Sequence, residues 1–183
     1  MARAVVLLAE GFEEIEAVTP IDVLRRAGVE VVTAGVPGRR VRGAHGLVVE
    51  ADVAVAEAPA DPDLLVLPGG MPGAENLARS PQVRELIARA QQSGKRLAAI
   101  CAAPAVALAP TGVLAGHRAT CYPGFEQRFS PDVRRSEERV VVDGPLVTSR
   151  GPGTALEFSL ALVEQLVGAA KAAELRQKML VAV

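Results

Sequence analysis

The sequence predicts a single α/β domain over residues 1–183, a three-layer α/β/α sandwich whose sheet is mainly parallel. Apolar runs typical of buried strands alternate with segments of helical periodicity, and this order favours strands joined through helices. The strands are apolar throughout, as in sheets covered on both faces. Hydrophobic residues make up 50% of the chain and aromatic residues only 3%, so we expect a core of Ala, Val, Leu and Ile.

The N-terminal half supplies three buried strands and a long first helix. Residues 3–9, 29–35 and 63–70 are predicted strands, and the last of them ends in Pro-Gly-Gly. A weaker strand is predicted near residues 47–51. Between the first two strands, helical spacing predicts a helix that Gly28 ends. Its expected buried face consists of Ile15, Val18, Ile21 and Leu24.

The C-terminal half repeats the alternation. Residues 80–93 form a predicted helix with Ser80 as N-cap and Pro81 at its first position. A strand over residues 95–101 and a helix starting at residue 102 follow. Residues 139–149 predict a hairpin that turns at Asp-Gly. Two closing helices are predicted at residues 153–168 and 169–180.

Composition excludes several classes of function. Twenty Lys and Arg nearly balance 21 Asp and Glu, so no net field attracts nucleic acid or an anionic membrane. Apolar runs are too short to cross a bilayer, and the N-terminus predicts a strand instead of a signal peptide. We therefore expect a cytoplasmic protein without nucleic-acid or membrane partners. Two Cys and two His at unsuitable spacing predict no metal site.

Cys101 stands where a predicted strand gives way to a helix, at a carboxyl end of the sheet, where ligands bind in such folds. A sharp strand-to-helix turn exposes a nucleophile and directs backbone amides at it, which favours the thiolate. Ala102 is small enough for such a turn. Two interpretations stay open at this point: a reactive thiol, or a small buried hydrophobic residue.

The ends of the first strand and of the strand over residues 63–70 lie at the same edge as Cys101 in the predicted topology. Glu16 opens the first helix, where acids complement the dipole, but its carboxyl can also point at the sheet, stay protonated and donate to a thiolate. Gly69 and Gly70 offer backbone amides to an oxyanion, although Gly-Gly is also ordinary loop sequence. Arg150, in a Gly-Pro-Gly turn, either contacts a ligand or simply fixes the turn.

Four segments, in order along the chain, resemble the ThiJ/PfpI superfamily and, within it, the clade of the parkinsonism-associated protein deglycase and its bacterial relatives. They are EGFEEIEAVTPIDVLRRAG from residue 10, DLLVLPGGMPGAENL from residue 63, AAICAAPAVAL from residue 98 and TSRGPGTALEFSLALVE from residue 148. The resemblance implies a flavodoxin-like fold, a homodimer and no cofactor.

The resemblance also implies roles for individual residues. Cys101 matches the family's reactive, oxidation-prone cysteine, and Glu16 matches the glutamate that bonds to it. Gly69 and Gly70 match the glycines that line the pocket, and Arg150 matches an arginine that helps to close it.

Two positions depart from the human-type pattern. Tyr122 replaces a histidine near the cysteine, and His45 replaces an arginine that the dimer partner supplies. A phenol is a poor base at neutral pH but can donate to an oxyanion, so we expect slow turnover, with Tyr122 as a hydrogen-bond donor.

The function implied is a cofactor-independent cysteine enzyme that protects against carbonyl and oxidative stress. Its substrates would be small 2-oxoaldehydes, converted as in glyoxalase III from methylglyoxal to lactate, or their early adducts on glycated proteins. The alternative is a redox sensor or holdase chaperone that works through Cys101 oxidation. A cysteine peptidase ranks last, because the family's protease-like members place histidine directly after the cysteine, where this chain has Ala102.

Overall fold

The computed structural model describes residues 1–181 and confirms the predicted fold class. Seven strands form one sheet in the order β10-β11-β7-β6-β1-β2-β5, and only β10 runs antiparallel to its neighbour. The strands of the chain are β1 (Arg3–Ala9), β2 (Glu30–Val36), β3 (Arg40–Arg42), β4 (Val48–Glu50), β5 (Val53–Ala54), β6 (Leu64–Leu67), β7 (Arg96–Ile100), β8 (Arg118–Ala119), β9 (Arg134–Arg135), β10 (Val140–Asp143) and β11 (Leu146–Ser149).

Five α-helices cover the sheet: α1 (Glu14–Arg26), α2 (Gly73–Arg79), α3 (Pro81–Gln92), α4 (Ala155–Val167) and α5 (Ala169–Lys178). Helix α1 packs against α4, and α4 packs against α5, which makes one layer. Helices α2 and α3 pack against β1, β6 and β7 and make the other. The core is mostly aliphatic, and its buried aromatic residues within residues 1–181 are Phe12, Phe129 and Phe158. Within residues 1–181, the helices are too short or too polar to cross a membrane.

The structure confirms most predicted elements and corrects others. Helix α2 and the short strands β3, β5, β8 and β9 were missed. The segment after Cys101 is helical but short, because one π-type turn, Pro104–Leu108, passes directly into a 3₁₀ turn. The expected buried face of α1 is wrong at two of its four positions: Ile15 and Val18 are 54% and 45% exposed, whereas Ile21 is partly buried and Leu24 is buried. Its buried residues are Glu16, Ala17, Pro20, Val23 and Leu24.

The order of the strands places a crevice at their carboxyl ends. In the sheet β1 lies between β2 and β6, so the chain continues from β1 to the strand on one side of it and later returns to the strand on its other side. Loops that leave β1 and β6 in opposite directions open a gap above the two strands, the usual ligand position in such sheets. Glu13 to Glu16 follow β1, Gly69 and Gly70 follow β6, and Cys101 follows the next strand, β7.

Candidate active site

Cys101 lies in a sharp turn immediately after β7. Its φ of 64° is in the left-handed region, where a side chain other than glycine is strained by about 1–3 kcal/mol. Such strain persists where the surrounding structure holds it, and here the Cys101 N–H donates to the Ser149 carbonyl at 2.9 Å. The thiol is 9% exposed. The geometry therefore agrees with the predicted strand-to-helix turn.

Glu16 is fully buried and points at Cys101 instead of solvent. Its Oε2 accepts the Gly69 N–H at 2.9 Å. Its Oε1 has no hydrogen-bond partner within residues 1–181. The carboxyl group as a whole interacts with the Cys101 side chain, and this interaction lowers the Glu16 pKa but is outweighed by burial. Burial raises the pKa of Glu16 to about 7, so the carboxyl can both donate and accept a proton near neutral pH.

The thiol itself is not activated in the way the sequence suggested. Burial, followed by the negative charge of Glu16, raises the pKa of Cys101 to about 12, while backbone N–H groups of Gly70 and Ala102 act in the opposite direction. The expected help from a helix dipole is small, because only a short helical turn follows. When Glu16 is protonated its charge no longer opposes ionisation of the thiol, so the protonation of one group depends on that of the other.

Gly69 fills the space between these two groups. A Cβ at this position would lie 2.6 Å from Cys101 Cβ and 2.7 Å from Glu16 Oε2, so only glycine fits. The Gly69 N–H is occupied by Glu16, and this corrects its expected role as an oxyanion donor. Of the two glycines, it is the Gly70 amide that faces Cys101.

Glu13 fixes the backbone of Glu16 at the start of helix α1. Its Oε2 accepts the Glu16 N–H at 2.8 Å and so caps helix α1. Glu13 is only 8% exposed, so this acid at the start of α1 is buried with Glu16. Glutamate is not one of the residue types preferred at an N-cap, so the sequence carries little signal for this contact.

Glu14 holds a loop beside the site. It accepts the His45 N–H at 2.7 Å and pairs with His45 Nδ1 at 2.9 Å. Partial burial raises the Glu14 pKa, but hydrogen bonds from His45 and Leu47 outweigh it and lower the pKa overall. Ligand atoms of Glu13, Glu14 and His45 lie within 4.8 Å of one another. These three side chains already bond to each other or to the backbone. The expected absence of a metal site stays a prediction.

Tyr122 reaches Cys101 through its backbone. Its N–H donates to the Cys101 carbonyl at 2.8 Å. The ring is edge-on to Phe125, with centroids 6.4 Å apart, and lies close to Gly151, where an added Cβ would be 3.2 Å from the ring. The side chain is 45% exposed. The structure thus brings Tyr122 to the site, while the predicted donation by its hydroxyl stays a prediction.

Arg150 follows β11 next to Cys101. Its Nη1 donates to the Glu137 carbonyl at 3.2 Å, which agrees with the turn-fixing interpretation.

Cys121 is a second free thiol and is 1% exposed. Burial raises the Cys121 pKa to about 12 and Glu126 adds to this, whereas Arg150 and Arg135 lower it.

Comparison with known proteins agrees with this geometry. The sequence profile of the DJ-1/PfpI family matches residues 2–165. The Parkinson disease protein 7 homolog of Danio rerio is 40% identical, with 97% of this chain and 96% of that protein aligned. The glutathione-independent glyoxalase DJR-1.2 of Caenorhabditis elegans is 37% identical over 91% of this chain and 89% of that protein.

Two further comparisons concern length and structure. DJ-1 homologs A and B of Arabidopsis thaliana are each 42% identical, but the chain spans only 45% and 40% of their lengths. The structure of oxidized DJ-1 from Toxoplasma gondii superposes over the full length of both chains, with a TM-score of 0.94 and 41% identity.

Proposed function

The chain belongs to the DJ-1/PfpI family, and on that premise we propose that it is a cofactor-independent cysteine enzyme that converts small 2-oxoaldehydes, such as methylglyoxal, to 2-hydroxy acids. The observation that carries the proposal is the buried contact between Glu16 and Cys101. A carboxyl group with a pKa of about 7 beside a thiol is suited to move protons at neutral pH. The glyoxalase name of a relative that aligns over most of this chain supports the same class of reaction.

The reaction begins with addition of the Cys101 sulfur to the aldehyde carbon. The new S–C bond forms as the C=O π bond breaks, the thiol proton passes to the new hydroxyl group, and a hemithioacetal results. N–H groups of Gly70 and Ala102, which already face the sulfur, stabilise the developing oxyanion. Tyr122 adds a hydroxyl donor at the exposed side, and Arg150 completes the binding surface.

Glu16 then carries a proton between the two substrate carbons. As carboxylate it takes the proton from the former aldehyde carbon, and as carboxylic acid it returns it to the neighbouring carbon, which leaves a thioester of the 2-hydroxy acid. The first carbon is oxidised and the second reduced, so no external oxidant or reductant is needed. Water cleaves the thioester and releases lactate and free Cys101. Deglycation of early protein adducts would use the same addition step.

The test is lactate formation from methylglyoxal by purified protein without glutathione, followed by NMR. We expect lactate from the wild type and none from Cys101→Ser. Absence of lactate with the wild type over a range of 2-oxoaldehydes would overturn the proposal.

One observation favours a second function, that of a redox sensor or holdase. Glu16 Oε1 has no hydrogen bond within the described chain, and the Glu16 carboxyl group interacts with the Cys101 side chain, so a protonated carboxyl can donate to a sulfinate there. A related structure is that of an oxidized DJ-1. Peroxide treatment followed by intact-mass measurement separates the two functions: a sensor gains two oxygen atoms at Cys101 and shows no aldehyde turnover.

A further inference from the structure

Glu13 joins the two segments that hold Glu16 in place. Its backbone N–H donates to the Gly69 carbonyl at 3.0 Å, and its side-chain Oε2 accepts the Glu16 N–H at 2.8 Å. The Gly69 N–H in turn donates to Glu16 Oε2 at 2.9 Å. Glu13, Glu16 and Gly69 therefore form a closed ring of three hydrogen bonds between the start of α1 and the loop after β6.

The carboxyl group of Glu13 is buried without a cation beside it. The residue is 8% exposed, and within residues 1–181 it forms no ion pair, whereas its neighbour Glu14 pairs with His45. Within the same part of the chain its side chain has a single hydrogen bond, from the Glu16 N–H. A neutral acceptor can make that bond, because Ser, Thr and Asn all serve as N-caps. Capping therefore does not explain why this position carries a charge.

The charge of Glu13 acts mainly on Glu16. Burial raises the pKa of Glu16 most, and the charge of Glu13 raises it further, against the opposing effect of the bond to Cys101. Glu14 raises the pKa of His45, and Glu13 adds a smaller effect. The His45 side chain is 76% exposed, so water screens its charge, whereas Glu16 is fully buried. The proton on Glu16 is therefore the one that the Glu13 charge affects most strongly.

We propose that Glu13 is a positioning residue for the proton shuttle: its carboxylate fixes the Glu16 backbone and, by its charge, keeps a proton on the buried Glu16 side chain. The inference rests on the proposed function for the use of that proton, but not for its retention. Two like charges in a buried site repel each other, so a carboxylate at Glu13 makes release of the Glu16 proton less favourable. Near neutral pH, Glu16 is then present both as the acid that returns a proton and as the base that takes one.

The titration of Glu16 tests this role without turnover. NMR of protein labelled with ¹³C at the glutamate Cδ follows each carboxyl group, and the Glu16 signal is the one missing from Glu16→Gln. Glu13→Gln keeps an oxygen that can cap α1 and removes the charge. Its Glu16 midpoint should lie about one pH unit below that of the wild type, a tenfold increase in the acid dissociation constant. An unchanged midpoint would overturn the proposal.

Glu14→Gln is the matched control. Glu14 is the next acid along the chain, but its bonds go to His45 and Leu47. The Glu16 midpoint should keep its wild-type value in this variant, and an equal fall in both variants would overturn the role given to Glu13. If Glu13→Gln does not fold, Glu13→Asp and Glu13→Asn take its place, since both are good N-caps of nearly equal size and only Asp is charged. The midpoint should then be lower in Glu13→Asn, and equal midpoints would overturn the proposal.

The pH dependence of turnover links this role to the reaction. As carboxylate, Glu16 takes the proton from the substrate carbon, so turnover by the wild type should rise with pH through about 7. In Glu13→Gln the same rise should occur about one pH unit lower, whereas a variant that only loosened the fold would be slower at every pH. A shifted Glu16 titration in a protein that forms no lactate would support the role of Glu13 and refute the proposed function. Lactate formation with an unshifted titration would refute the role of Glu13 alone.

Discussion

At the scale of single residues, the position of Glu16 says more about the chemistry of the site than that of any other side chain. It occupies the interior, where a carboxyl group is costly, its Oε2 accepts the Gly69 N–H, and its carboxyl group interacts with the Cys101 side chain. An acid that only complemented the helix dipole would gain nothing from leaving water. The burial of Glu16 therefore favours a chemical role over a purely structural one.

Replacing Glu16 by Gln should reduce aldehyde turnover by roughly 10²–10⁴-fold, because the amide keeps the shape but cannot exchange a proton. Cys101 should still react with iodoacetamide. Glu85→Gln is the control, since Glu85 lies on α3 and pairs there with Arg89. Equal turnover in wild type and Glu16→Gln would remove Glu16 from the mechanism and favour the redox sensor.

The same substitution should alter the pH dependence of stability. The pKa of Glu16 is raised from 4.5 to about 7 in the folded state, so the folded protein holds this proton more tightly than the unfolded chain. The stability it contributes is complete below pH 4.5 and is lost as pH rises through 7, a change of roughly 3 kcal/mol. Gln does not titrate. Urea unfolding should show Glu16→Gln gaining on the wild type between pH 4.5 and pH 8, and a pH-independent difference would refute the shift.

The two cysteines should differ in reactivity. Burial raises both pKa values to about 12, so the difference depends on access and on neighbouring donors. Cys101 is 9% exposed, receives two backbone N–H groups and lies against a carboxyl group that can take its proton, whereas Cys121 is 1% exposed. Differential alkylation at neutral pH should label Cys101 first. Equal labelling would contradict the site described here.

At the scale of elements, close approach of three strand ends creates the site. Gly69→Ala tests it, because the added Cβ would overlap both Cys101 and Glu16. Overpacking of this kind costs about 1–3 kcal/mol, and separating the acid from the thiol should lower turnover at least tenfold. Gly38→Ala is the control, since a Cβ there meets nothing within 4 Å. Thermal unfolding and turnover measure the two effects, and full activity in Gly69→Ala would contradict the arrangement.

Sequence alone predicted the strands and long helices because apolar runs and capping residues are local signals. It misjudged α1 for a physical reason. Counting apolar residues selected Ile15 and Val18, whereas the buried face contains a carboxyl group and small residues such as Ala17 and Pro20. It placed Cys101, Glu16 and Gly70 at one edge of the sheet, since parallel strands end together. It could not supply the strand register that sets the backbone of Arg150 beside that of Cys101.

At the scale of the whole molecule, the exposed face of α1 bears on assembly. Ile15 and Val18 border a groove of about 410 Å³ that Pro152, Leu156 and Met179 also line. Adjacent exposed apolar side chains of this kind are typical of protein–protein contacts. Membership of the family makes a second copy of this chain the occupant that we propose, through a self-complementary surface on α1.

The corresponding prediction is a homodimer that depends on α1. Sedimentation velocity at micromolar concentration should give about twice the 19.0 kDa chain mass for the wild type and the monomer mass for the double variant Ile15→Asp, Val18→Asp. Two carboxylates in an apolar contact would remain unpaired when buried, and this cost opposes association. Val167→Asp is the control, because Val167 is similarly exposed, at 44%, but lies at the end of α4 outside the groove. A monomeric wild type would refute the dimer. A double variant that stays dimeric would place the contact on another face and leave Ile15 and Val18 without the role proposed for them.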